Sequence, residues 1–266
     1  MRGGKFLLVL CGLWLNLAAG GEFTLLAENN APLAYAGADG RPEGVCVDIA
    51  GEIQKRAGTA FPVTLHKWVE CLEKLNAEPQ SALLGVPNDY ALRKKFTFTG
   101  EVSTLSYTFF AAKDKDIKAD TLEEAKEFRV GVRQNGVAHQ LLMGLGFTNF
   151  FVAESEDQLL PLLLQGSFDL WLEDEMKAYA IARERKIDPA GMRPLMTAFT
   201  APLYVAFNPA ADAGIREKWG KALETMKADG TLQKILDGWK QKLAMPAPAD
   251  KSAEAAEAGD AGAKKD

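Results

Sequence analysis

Two clusters of opposite charge are suited to holding a small charged ligand, Arg93-Lys94-Lys95 and Glu173-Asp174-Glu175. A guanidinium is planar and offers two parallel donors, so Arg93 suits a carboxylate clamp, whereas three adjacent cations equally suit a solvated run. An acid of the second cluster suits an ammonium group, whereas three acids in a row also suit the first turn of a helix, where the dipole favours them. His66 and His139 are isolated, and no Cys/His or carboxylate group has metal-ligand spacing, so neither metal nor cofactor is expected. Beyond the first segment the cysteines are Cys46 and Cys71. In an oxidising compartment they are either a disulfide or two separately buried thiols.

That compartment is indicated by the first residues. Met-Arg-Gly-Gly-Lys is followed by an apolar run from Phe6 to Leu17 and then by the small residues Ala18 to Gly21. This is the pattern of a secretory signal peptide, read over residues 1–20. Its apolar core is about a dozen residues, short of the roughly 20 that a membrane-spanning helix needs. Cys11 lies within that core behind Leu10, too large for a lipidation signal. The chain is therefore read as exported to the periplasm. Its formal charge of −5 argues against nucleic-acid binding, which needs a basic footprint.

The elements that must position these groups alternate between strand and helix. Glu22 to Ala27 reads as a strand and Glu28 to Gly44 as a loop rich in turn residues. Ile49, Ile53 and Ala57 mark a helix that starts near Asp48 and stops at Gly58. Phe61 to Trp68 reads as a strand, Cys71 to Leu75 as a short helix, and Ala82 to Val86 and Phe96 to Thr99 as apolar runs. A second round opens with the capping box Thr121-Leu-Glu-Glu124, with a strand over Phe128 to Val132 and a helix over His139 to Leu145. Another box, Ser155 to Gln158, precedes Leu159 to Leu164, where Pro161 kinks the helix or marks its real start. Phe168 to Leu172 is a further strand. Leu105 to Ala112 and Pro202 to Phe207 are extended apolar stretches placed to cross between the rounds. A helix pair follows, with Trp219 and Trp239 on its apolar faces, and residues 244–266 read as a disordered tail.

Alternating strands and helices imply an α/β protein with mainly parallel sheets, whose ligands bind in loops at the carboxyl ends of strands. Two such units joined by two strands make hinged lobes with a cleft; one continuous α/β domain fits the pattern equally well.

Five stretches resemble the family 3 extracellular solute-binding proteins, which include the polar amino acid receptors of bacterial ABC importers. They are Asn30-Ala-Pro-Leu33 with Gly44-Val-Cys-Val-Asp48, Pro87 to Phe98, Val130-Gly-Val-Arg-Gln-Asn-Gly136, Gly166 to Asp174, and Asp229-Gly-Thr-Leu-Gln-Lys-Ile-Leu-Asp-Gly-Trp239. The resemblance implies a two-lobed, type II periplasmic binding protein-like fold, each lobe a mainly parallel sheet flanked by helices and joined by two crossing strands. Lobe 1 would take residues 21–112 and 203–243, and lobe 2 residues 113–202.

It further implies that Arg93 clamps the α-carboxylate of an amino acid and that Asp174 holds its ammonium group from the opposite lobe. Trp68 takes the place of a stacking aromatic; a second such ring is replaced by Asn30, for which Tyr35 is a nearby substitute. Gly85 and Asn88 fall where backbone and side-chain donors meet the carboxylate, and Val137 stands where the family usually has threonine. The function implied is capture of an amino acid or similar small carboxylate by hinge closure and delivery to an ABC-type permease, as a monomer without enzymatic activity. The same fold hosts cyclohexadienyl dehydratase, in which case Glu173 or Asp174 would be the acid, and related domains also serve chemoreceptors.

Overall fold

The computed structural model describes residues 23–246; the expected signal peptide, residues 1–20, and most of the expected C-terminal tail lie outside the described residues. In chain order the elements are β1 (Thr24–Glu28), β2 (Tyr35–Ala36), β3 (Pro42–Glu43), α1 (Val45–Ala57), β4 (Val63–His66), α2 (Trp68–Ala77), β5 (Ser81–Pro87), α3 (Tyr90–Arg93) and β6 (Thr97–Ala112). Then follow α4 (Leu122–Ala125), β7 (Val130–Arg133), α5 (Val137–Gly144), β8 (Phe150–Ala153), α6 (Leu159–Leu164), β9 (Leu170–Asp174), α7 (Glu175–Glu184), β10 (Met192–Phe207), α8 (Ala213–Ala228) and α9 (Thr231–Lys242).

The main sheet runs β4-β1-β5-β10-β6-β9-β7-β8. At one end β1 is parallel to β4 and β5, and at the other β7 is parallel to β8 and β9. Between these parallel sets lies the antiparallel pair β6 and β10, each of 16 residues and so roughly 50 Å long. Leu203 to Phe207 of β10 pair with β5, and Tyr107 to Ala111 of β6 pair with β9. Each long strand thus serves lobe 1 with one part and lobe 2 with another. Register shifts near Thr197 to Phe199 and Leu203 to Val205 bend the pair between the lobes. The expected crossing strands are present and longer than expected, because Thr97 to Thr99, from the apolar run that opens at Phe96, and Leu105 to Ala112 belong to one strand. The polar residues between them stay extended because β10 pairs with them, Ala201 opposite Leu105 and Tyr204 opposite Glu101.

Both faces of the lobe 1 sheet are covered, as parallel strands require. Leu25, Ala27, Ala82 and Leu84 pack beneath α1, with Cys46, Ile49 and Ile53. Leu26, Leu83 and Val86 face the other way and pack against Cys71 and Leu75 of α2. The two cysteines are therefore on opposite faces of one sheet, each free and buried. A disulfide would have to pass through the sheet, which corrects that expectation in favour of two separate thiols. Burial pushes both thiols up to about 12, so they are inert hydrophobic packing groups.

Gly58 closes α1 in the left-handed conformation, and Thr121 caps α4 by accepting from the Glu124 N–H at 3.2 Å. The α1 helix starts at Val45, before Asp48, and Trp68 is the first residue of α2 and not a strand end. Ser155 makes no side-chain cap; a 3-10 turn over Glu156–Gln158 leads into α6, with Pro161 in its first turn.

Candidate functional site

The cavity between the lobes, about 510 Å³, is bounded by the carboxyl ends of strands, where parallel topology leaves room for loops and helix starts. Lobe 1 supplies Glu28 at the end of β1, the segment Asn29 to Leu33, Trp68, and Gly85 and Pro87 of β5. Lobe 2 supplies Arg133 at the end of β7, Gly136 to Ala138 at the start of α5, Glu156, Leu172 to Asp174, and Lys177. Leu105, Tyr107 and Leu203 of the crossing strands form the rest. Gly85 has a φ of +69° within β5, a conformation that L side chains rarely adopt. A Cβ there would lie 3.0 Å from the Cys46 Sγ, so the packing beneath α1 is also tight at this point.

A chain of polar contacts crosses the cavity from lobe to lobe. The Glu28 carboxyl is hydrogen-bonded by the Asn30 side chain, and the Asn30 Oδ1 accepts from the Lys177 Nζ at 3.0 Å. Lys177 also lies 2.5 Å from Glu156 Oε2, and the Arg133 Nε lies 2.8 Å from Glu156 Oε1. Burial works to raise Glu156, but Lys177 and Arg133 together outweigh it and hold this carboxyl below its ordinary value. Each oxygen of Glu156 thus carries one cation.

The remaining carboxyls have no such partner. Asp174 is buried and caps α7: its Oδ1 accepts from the Lys177 N–H at 3.1 Å and its Oδ2 from the Ser106 N–H at 2.8 Å. It ties the helix of lobe 2 to the crossing strand β6. Burial pushes it up to about 6 despite those two amides. Glu173, also buried, accepts only from the Asp174 N–H at 2.9 Å. Burial, reinforced by the Glu156 charge, pushes it up to about 8. Glu28 is likewise raised by burial. Tyr107 stacks on Phe199 with ring centroids 4.3 Å apart, and burial and the nearby Glu173 raise its hydroxyl.

Of the residues singled out in the sequence, Asp174, Trp68, Gly85, Asn30 and Val137 line this cavity. Val137 presents no hydroxyl, and its helix begins at Gly136 without a side-chain cap. Arg93 is exposed at the end of α3, six residues past Pro87, and is not among the cavity-lining groups. The turn of helix capped by Asp89 carries it outward, so in this arrangement it does not face Asp174. Asn88 follows Pro87 without lining the cavity, and its buried Oδ1 has no hydrogen-bond partner. Tyr35 donates to Glu43 at 3.4 Å and lines a neighbouring cavity that shares Asn29, Ala31 and Pro32. His66 contacts Glu70 and Thr64, and His139 accepts from the Asn135 N–H.

Sequence reasoning missed Glu28, Arg133, Glu156, Lys177 and Tyr107. Arg133 was within reach: it ends the strand of the Val-Gly-Val-Arg motif, and strand ends are where ligands are met. Glu156 read as part of a helix cap and Lys177 as an ordinary helix residue. Only the fold brings them to one cluster.

The family model of bacterial extracellular solute-binding proteins, family 3, matches residues 24–242. Among solved structures, the second substrate-binding domain of a putative amino acid ABC transporter from Streptococcus pneumoniae superposes with a TM-score of 0.69 at 17% identity, over 82% of this chain and 99% of that one. An ancestral cationic amino acid solute-binding protein gives 0.70 at 19%, over 82% and 95%. A histidine kinase sensor domain with similarity to periplasmic binding proteins gives 0.66 at 19%, over 82% and 96%. Among curated proteins none matches significantly. At such identities the structures carry the fold alone, a two-lobed type II arrangement, while the sequence model carries membership. This chain belongs to the bacterial extracellular solute-binding proteins, family 3.

Proposed function

We propose that the chain is a periplasmic receptor that captures an amino acid or similar small carboxylate between its lobes and delivers it to an ABC-type permease. The observation that supports this most is the interlobe cavity itself, with charges of both signs and a polar chain running across it. A ligand touching both walls binds the closed form better than the open one and so favours closure. Arg133, with donors left over after its bond to Glu156, takes the carboxylate in place of the outlying Arg93. Asp174 and Trp68 keep their expected contacts. The neighbours described as a substrate-binding domain of a putative amino acid ABC transporter and as a cationic amino acid solute-binding protein agree with this class of ligand.

A thermal-shift screen of polar amino acids and organic acids tests the reading, since a bound ligand raises the melting temperature by mass action. At least one compound is expected to shift the midpoint, and Arg133→Ala to abolish that shift. If no compound in either class shifts it, the receptor reading fails.

One observation favours a second reading, a cyclohexadienyl dehydratase-like enzyme. Glu173, raised to about 8 and lining the cavity, holds a proton near neutral pH and is placed to give it to a leaving hydroxyl. Incubation with prephenate or arogenate and a search for the aromatic product decides this. Turnover that disappears in Glu173→Gln would replace the receptor reading.

A further inference from the structure

The cavity is lined by four carboxyls, Glu28, Glu156, Glu173 and Asp174, and by two cations, Arg133 and Lys177. Both cations contact the same carboxylate, one on each oxygen of Glu156. None of the other three acids forms an ion pair among the described residues; their bonds are to one or two amides each. With all groups ionised, the lining carries two negative charges more than positive ones, and with Glu173 protonated it still carries one more.

From this we infer that the ligand carries a net positive charge, as an amino acid with a basic side chain does, and that Glu28 and Glu173 receive its side-chain cation from opposite lobes. The inference rests on the receptor reading and narrows it to one charge class. A zwitterion leaves the surplus of negative charge unchanged on closure, and a dicarboxylate deepens it in a site where water is being excluded. A basic amino acid brings one carboxylate, for Arg133, and two cations, one for Asp174 and one for Glu28 and Glu173. Trp68 and Tyr107 line the same cavity, and aromatic rings there are compatible with a guanidinium or ammonium. The cavity volume is in the range of small-ligand sites. All three unpaired acids are shifted toward holding a proton, the smallest cation on offer in the ligand's absence.

Titration calorimetry with L-arginine, L-lysine, L-glutamine and L-glutamate tests this. Arginine or lysine is expected to bind at least tenfold tighter than glutamine, with no measurable binding of glutamate. Glu28→Gln and Glu173→Gln are each expected to weaken the basic amino acid tenfold or more. Glu28 is only partly buried, so its variant serves if Glu173→Gln does not fold. Tighter binding of glutamine or glutamate than of both basic amino acids overturns the charge assignment and leaves the receptor reading standing. Basic amino acids that bind both variants as well as wild type overturn the assignment to Glu28 and Glu173. Failure of all four to bind, together with no hit in the wider screen, overturns both inferences.

Discussion

Lobe 1 meets the cavity with Asn29, Asn30, Pro32, Trp68, Gly85 and Pro87 and with a single acid, Glu28, whereas lobe 2 brings Arg133, Glu156, Glu173, Asp174 and Lys177. The difference follows from how each wall is made. In lobe 1 the ends of β1 and β5 open into a loop and a short turn, which offer shape and backbone. In lobe 2 all five residues of β9 are buried up to its junction with α7, so Glu173 and Asp174 are desolvated and titrate above their ordinary values. Lobe 1 shapes the site; lobe 2 carries most of its charge and its response to pH.

The largest effect that tests this division is on stability. A carboxyl at about 8 when folded and 4.5 when unfolded binds its proton more tightly in the folded state. Its contribution is therefore fully present below pH about 4.5 and is lost as pH rises through about 8. Asp174 adds the same sign between 3.8 and about 6. The groups bearing on Glu173 are Glu156, Lys177, Asp174 and Tyr107. Glu173→Gln removes the buried charge, so at pH 8.5 it is expected to stabilise by about 2–4 kcal/mol. At about 2–4 °C per kcal/mol that is a rise of several degrees in melting temperature, fading toward pH 5. Melts of both proteins across that range check it; equal slopes would show that lobe 2 does not set the pH response. Glu28→Gln, in the more open wall, is expected to change the profile much less.

The next effect is on binding. Arg133→Ala is expected to weaken whichever ligand the screen finds by about 100-fold, close to 2.7 kcal/mol, while Arg93→Ala stays within about twofold. Calorimetry on the two variants measures the contrast. Equal losses would restore Arg93 to the site and place the anion contact in lobe 1.

That contrast also shows what the sequence makes legible. The α/β alternation, the crossing strands, the Gly58 stop and the closing helix pair could be read because each is a local signal that its surroundings reinforce. Asp174 could be read because it does two jobs at one strand end, capping α7 and facing the cavity. Arg93 could not be placed, since a one-turn helix decides whether a residue near a strand end points into a cleft or out to water. Glu28, Glu156 and Lys177 are far apart in the chain and ordinary in composition, and only the approach of the two lobes makes them one cluster. The loose alternation over Phe61 to Trp68 predicts a strand, and Val63 to His66 form one; Lys67, extended, precedes the helix that begins at Trp68.

Asp174→Ala is expected to cost about 1–2 kcal/mol, the usual worth of an N-cap, and Asp174→Asn less, because its amide oxygen keeps the cap on the Lys177 N–H while its NH2 cannot accept from the Ser106 N–H. Chemical denaturation of the pair measures this. Thr121→Ala, removing the cap of the four-residue α4, is expected to cost less than Asp174→Ala. A greater cost at Thr121 would mean that the link from Asp174 to Ser106 adds nothing to the hold of α7 on β6.

The smallest effect on stability has the largest consequence for shape. Lys177→Met keeps the aliphatic stem and removes the ammonium that touches Glu156 in its own lobe and Asn30 in the other. Glu156 retains Arg133, and both partners of the lost pair are partly solvated, so the change in stability is expected to stay under about 1 kcal/mol. The contrasting contact is Arg56 to Asp229 at 2.7 Å, an ion pair of similar chemistry that joins α1 to the turn between α8 and α9 within lobe 1. Arg56→Met therefore loosens one lobe without altering the distance between the two. Spin labels on exposed sites of α2 and α5 report that distance. Lys177→Met is expected to broaden it toward larger separations, and Arg56→Met to leave it unchanged. If both variants match wild type, the contact between Lys177 and Asn30 does not restrain the lobes, and closure depends on the ligand alone.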